Sequence, residues 1–145
     1  MIEYKKVLSL CAASLLLFSC MAEKTWIFNT DYFSIGVNDK GYITSMKNTT
    51  VSPAREFSPA DKPSPLMSLY DSEKRVFYTP QSAVFNDVTQ CFTLEYPNGS
   101  VAEVSLQPRG KYFKLTLNSL EPRNGIDAIQ WGSYYTNITN LLGEI

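Results

Sequence analysis

The stretch from Cys91 to Gln107, CFTLEYPNGSVAEVSLQ, constrains the fold more than any other. Its apolar side chains fall on alternate positions on both sides of a Pro-Asn-Gly turn. A period of two belongs to strands, whose successive side chains point to opposite faces. Two such runs around a short turn read as a β-hairpin. Its register follows from matching the apolar faces. Leu94 pairs with Ala102 and Phe92 with Val104, which sets Tyr96 opposite Ser100 and leaves the loop Pro97-Asn98-Gly99. Proline suits the first turn position, and glycine the left-handed position that closes such loops.

The same pattern continues on both sides. Downstream, Phe113, Leu115 and Leu117 alternate with Tyr112, Lys114 and Thr116. Pairing Leu106 with Phe113 leaves Pro108-Arg109-Gly110-Lys111 as the loop, and IDAIQW supplies a further strand. Upstream, SAVFND, RVFYTP and LMSLY read as short strands. Phe33, Ile35 and Val37 form one arm of an earlier hairpin, NDKG its turn and YITSM its return. Between them lie Pro53, Pro59, Pro63 and Pro65, so no helix or central strand runs through that segment, and a long surface loop is expected. Short, regularly spaced strands with turn signals between them predict an all-β antiparallel β-sandwich.

The N-terminus reads differently. Lys5 and Lys6 precede the apolar run VLSLCAASLLLF, the size of a signal-peptide helix and too short to span a bilayer. The run ends at Leu17-Phe18-Ser19-Cys20, which resembles the bacterial lipobox. Residues 1–19 are then a lipoprotein signal peptide, Cys20 the lipidation site, 20–25 a tether and 26–145 the β-sandwich domain. The expected location is a bacterial cell envelope, on the outer membrane through the lipid anchor, where each buried methylene contributes about 0.8 kcal/mol. The alternative is an ordinary signal peptide with an incidental cysteine. With Cys11 in the signal and Cys20 lipidated, Cys91 is left without a disulfide partner and reads as a small buried hydrophobe.

Composition narrows the chemistry. At 145 residues the chain is expected to form one domain. A hydrophobic fraction of 44% and an aromatic fraction of 13% supply a packed core. A formal net charge of −1 argues against a nucleic-acid surface. The absence of histidine removes Ser-His and Cys-His nucleophile pairs and imidazole zinc sites. Glu95 and Glu103 fall diagonally on the outer face of the hairpin, a spacing that can serve glycoside hydrolysis, but it reads first as a solvated face. Asn38 and Asp39 read as turn residues rather than calcium ligands. The N-glycosylation patterns at Asn48, Asn98 and Asn137 carry little weight behind a bacterial signal. No cofactor or metal motif is present. The remaining feature is the aromatic cluster Trp131, Tyr134 and Tyr135. Such rings suit sugar faces, and core packing is the alternative.

The combination FSIGVNDKGYITSMKN, SPLMSLY, the meander and DAIQWGSYYTNITNLLGEI resembles the N-terminal galactose-mutarotase-like supersandwich of Bacteroidetes-type glycoside hydrolase lipoproteins. The matching positions are Asp127, Ala128, Ile129, Trp131, Gly132, Tyr134, Thr136, Gly143 and Glu144. The resemblance implies a non-catalytic accessory module beside a downstream catalytic (β/α)8 barrel. Glycan and that barrel would be its partners, Trp131, Tyr134 and Tyr135 would make the contacts, and no catalytic residue would lie in this chain. It also implies a partial supersandwich, with the chain stopping before the domain is complete. The rival readings are a stand-alone glycan-binding lipoprotein and a structural envelope lipoprotein.

Overall fold

The computed structural model describes residues 23–123 and 125–138. The signal segment, Cys20 and the closing NLLGEI lie outside the described residues. The strands are β1 (Thr25–Asn29), β2 (Phe33–Asn38), β3 (Tyr42–Asn48), β4 (Arg55–Glu56), β5 (Ser64–Pro65), β6 (Met67–Asp71), β7 (Val76–Tyr78), β8 (Ser82–Asn86), β9 (Cys91–Glu95), β10 (Val101–Arg109), β11 (Tyr112–Glu121) and β12 (Ala128–Trp131). They form three sheets. The first runs β1-β2-β3-β4 with β5 also on β3, the second β11-β10-β9-β8, and the third β12-β6-β7. Every pairing is antiparallel. The described residues form an all-β antiparallel sandwich, as their period-two pattern predicts.

The hairpin of β9 and β10 has the derived register. Leu94 pairs with Ala102 and Phe92 with Val104. The Tyr96 N–H donates to the Ser100 carbonyl at 2.9 Å, and Gly99 takes φ 84°. Phe92, Leu94, Ala102 and Val104 are all wholly buried, so face matching and turn chemistry converge on one register.

The next hairpin corrects the expectation. Leu106 pairs with Leu115, not Phe113, and β10 continues through Pro108 to Arg109, leaving Gly110 and Lys111 as the loop. Pro108 was expected to end the strand. It is accommodated because β9 pairs only with Val101–Ser105, so the end of β10 has a partner on one side only. The apolar face is unchanged, since the slip is of two residues.

β1 is a strand that the alternating-pattern reading passed over. It begins at Thr25, inside the expected tether, and pairs with β2 along its whole length. Trp26 and Phe28 share a face with Val37 and Ile35 and reach across to the second sheet. There Trp26 meets Phe92 edge-on at 5.4 Å, and Phe28 meets Phe85 edge-on at 5.0 Å. Edge-to-face pairs at such distances are the favoured aromatic geometry. This aromatic layer joins the first two sheets. Leu66, Met67, Leu69 and Tyr96 extend it under the third, and the Tyr96 hydroxyl donates to the Met67 carbonyl at 3.1 Å.

The proline-rich segment, expected as a loop throughout, carries two two-residue strands, β4 and β5, both pairing with β3, and is pinned at defined points. Glu56 does most of the pinning. One carboxylate oxygen accepts the Ser45 hydroxyl at 2.6 Å, and the other accepts the Met46 and Ser58 N–H groups at 2.7 and 2.9 Å. Burial works to raise the Glu56 pKa, but the Ser45, Ser58 and Met46 hydrogen bonds and the Lys47 charge outweigh it and hold it below the ordinary value. Cys91 also differs from expectation, being half-buried. An extra residue in β11, Asn118, has no partner between Glu103 and Val104, and its amide donates to the Cys91 sulfur at 3.2 Å.

Candidate functional site

The third sheet is small, and its two faces do different things. Residues paired across antiparallel strands share a face. Met67, Leu69, Tyr78, Ile129 and Trp131 therefore point one way, and Met67 and Leu69 show that this way is the core. Ser68, Tyr70, Phe77, Ala128 and Gln130 point outward. Phe77 packs on Tyr70 with ring centroids 4.6 Å apart and stays 53% exposed.

Two carboxylates fix the frame. Asp71 is buried, accepts the Lys74 ammonium at 2.8 Å and the Lys74 N–H at 2.9 Å, and so closes the turn from β6 to β7. Those bonds, with the ammonium's first, hold Asp71 below the usual carboxylate range. Asp127 accepts the Ser72 N–H at 2.8 Å and ties the entry of β12 to the same turn, and hydrogen bonding from Ser72 lowers its pKa likewise. Asp127 thus has a scaffold role.

Beyond β12 the backbone turns sharply. Gly132 has φ 86° and Ser133 φ 68°. A Cβ at Gly132 would lie 3.0 Å from the Tyr134 ring, so glycine meets both the conformation and the space. The turned chain is laid along the proline-rich segment. The Tyr135 N–H donates to Ser64 Oγ at 2.9 Å, and the Asn137 N–H donates to the Phe57 carbonyl at 2.8 Å. The Tyr134 hydroxyl points back to the Leu66 carbonyl at 3.4 Å, and burial of that end pushes the phenol pKa up.

The result is an open groove of about 380 Å³ on the outer face, lined by Ser68, Phe77, Thr79, Gln130, Ser133 and Tyr135 among others. Tyr135 is 50% exposed. The Gln130 amide donates to Ser133 Oγ at 3.1 Å, which orders two of the groove's polar groups. Exposed rings flanking amide and hydroxyl groups can stack on the C–H face of a polar ring while bonding its rim.

The three aromatics expected to act together are therefore separated. Tyr135 lines the groove. Trp131, 37% exposed, pairs with Met67 on the opposite face, and Tyr134 packs between Gly132 and Leu66. Phe77, Gln130, Ser68 and Thr79 take the places that Trp131 and Tyr134 were expected to fill. Phe77 was visible in RVFYTP as a strand residue, but no local pattern shows that β6 and β7 lie beside β12. Glu95 and Glu103 are diagonal neighbours, as derived, on the exposed face of the second sheet, where Glu95 accepts the Ser82 hydroxyl at 2.6 Å. Neither lines the groove.

A larger cleft of about 500 Å³ lies between the β2–β3 turn and the proline-rich segment, beside Tyr42, Pro59, Pro63 and Pro80. Lys40 and Glu23 pair across its rim at 3.6 Å. Among the described residues, no group of three or more Asp, Glu, Cys or His side chains is placed to hold a metal ion.

Fold and groove together define an antiparallel β-sandwich with an open aromatic-and-amide groove on its smallest sheet. No family model, curated protein or solved structure matches the chain.

Proposed function

We propose that this chain is a non-catalytic β-sandwich module of a membrane-anchored carbohydrate-active protein, and that it contacts glycan through the groove beside Tyr135. The observation that carries this reading is the pair of half-exposed rings, Phe77 and Tyr135, lining one groove with the ordered Gln130–Ser133 pair. Buried aromatics need no ligand, whereas exposed ones flanked by oriented hydrogen-bonding groups match the amphipathic faces of a sugar. The signal-like N-terminus ending at Cys20 supports delivery to an envelope membrane, and the resemblance to supersandwich modules supports the glycan class. The groove is open, so it suits part of a chain or a surface shared with a following domain rather than an enclosed reaction.

The test is retention on a panel of immobilised polysaccharides, using the full chain. Wild type should be retarded by at least one glycan, and Phe77→Ala with Tyr135→Ala should abolish the retardation while leaving the melting temperature within a few degrees, since both rings are half-exposed. Retention that is absent in wild type, or unchanged in the double variant, contradicts the reading.

A further inference from the structure

A second groove, unconnected to Tyr135, lies where the β10–β11 hairpin tip meets the start of β2 and the end of β3. It encloses about 520 Å³ and is lined by Tyr32, Asn48, Thr50, Phe57, Lys111 and Tyr112, with Phe33 and Phe113 at its floor. That volume falls within the roughly 300–1,000 Å³ of small-ligand sites. The tip is held in place by the Asp31 N–H, which donates to the Gly110 carbonyl at 2.8 Å. Tyr112 is 62% exposed. The walls are aromatic, and the rim carries an amide, a hydroxyl and an ammonium.

Charge makes this groove unusual in a chain of net charge −1. No carboxylate lines it. Lys111 stands over the Tyr32 ring at 5.6 Å, and Arg55 stands over Phe57, itself a lining residue, at 5.5 Å. Among the described residues neither cation forms an ion pair. Asp31, next to Tyr32 in sequence, is turned toward Gly110 and does not line the groove. A cation held on a ring face keeps its charge available to an incoming anion. The geometry points to a binding site for an acidic saccharide, a sugar carrying a carboxylate or sulfate. Tyr112 offers the stacking face, the Asn48 amide N–H groups and the lone pairs of Thr50 Oγ1, whose own proton goes to Asn48 Oδ1 at 2.7 Å, offer hydrogen bonds to ring hydroxyls, and Lys111 takes the anionic substituent.

Calorimetric titration of the full chain with an oligogalacturonate, and with a neutral galactose oligomer of equal length, tests this. The acidic oligomer should bind about tenfold or more tightly than the neutral one, the ratio that a single charge-assisted contact supplies. Lys111→Gln should erase that preference, and Tyr112→Ala should weaken both oligomers. The preference for the acidic oligomer should persist in Tyr135→Ala, whatever that change does at the groove on the third sheet, which separates the two sites. No binding of the acidic oligomer, equal affinity for the two, or an intact preference in Lys111→Gln would overturn the assignment.

Discussion

Single residues hold this sandwich at places where backbone and side chain meet. Glu56 is the clearest case, because one side chain satisfies the Ser45 hydroxyl and N–H groups on β3 and on the proline-rich segment. Glu56→Gln should lower stability by about 1–2 kcal/mol, the scale of partly exposed hydrogen bonds to a charged acceptor. Its folded pKa lies below the ordinary 4.5, so its contribution is present above that pH and is lost as pH falls through the folded value. Urea melts of wild type and Glu56→Gln should therefore differ at pH 7 and converge in acid, and a pH-independent gap would count against the carboxylate's role. Tyr96→Phe removes the donor that reaches the Met67 carbonyl in the dry core and should cost about 1–2 kcal/mol by the same titration. At Gly99 a Cβ would touch nothing, yet φ is 84°. Gly99→Val should therefore lose about 1–2 kcal/mol through backbone conformation alone, and an unchanged thermal midpoint would refute the left-handed turn.

At the scale of strands, the sequence was most legible where pairing is local. The β9–β10 hairpin could be derived to the residue because the alternation of Phe92, Leu94, Ala102 and Val104 and the Pro-Asn-Gly turn impose the same answer. β10–β11 kept its apolar face but slipped by two residues, because whether a proline ends a strand depends on which edge its missing N–H faces, and that is a tertiary fact. β1 was passed over although Trp26 and Phe28 build the layer between sheets. Its visible alternation is short, and its burial comes from β8 and β9, far along the chain. β12 and β6 are both legible as strands, in IDAIQW and LMSLY, but their pairing is not, so the faces of Trp131 and Tyr135 could not be told apart in advance. The turn after β12 carries its own prediction. Gly132→Ala strains a backbone at φ 86° and pushes on the Tyr134 ring. It should lower the melting temperature modestly and displace Tyr135 from the groove, seen as weaker retention on the glycan that wild type binds. Full retention would show that the groove does not depend on this turn.

The whole molecule places its open surfaces at the sheet margins. β11 and β8 are the edges of the second sheet, and Val84 on β8 is 65% exposed. Phe113, Leu115 and Leu117 on β11 pack against the core but remain half-buried. Unpaired edges and partly covered apolar faces favour association. The isolated chain should scatter light in a concentration-dependent way, and Val84→Lys should reduce the scattering. A monodisperse wild type across the accessible range would show that these edges are already protected. The grooves themselves were barely legible, since each gathers residues from three or more distant segments and, of the cluster Trp131, Tyr134 and Tyr135, only Tyr135 lines one of them. The proposed role of the molecule depends on the groove of the third sheet being a glycan contact. Amide chemical-shift mapping of ¹⁵N-labelled protein, titrated with the glycan retained on the polysaccharide panel, tests that most directly. The account predicts shifts concentrated at Ser68, Phe77, Thr79 and Gln130 through Tyr135, with Trp131 moving less than Tyr135, and it is contradicted if those amides stay still while the protein is saturated.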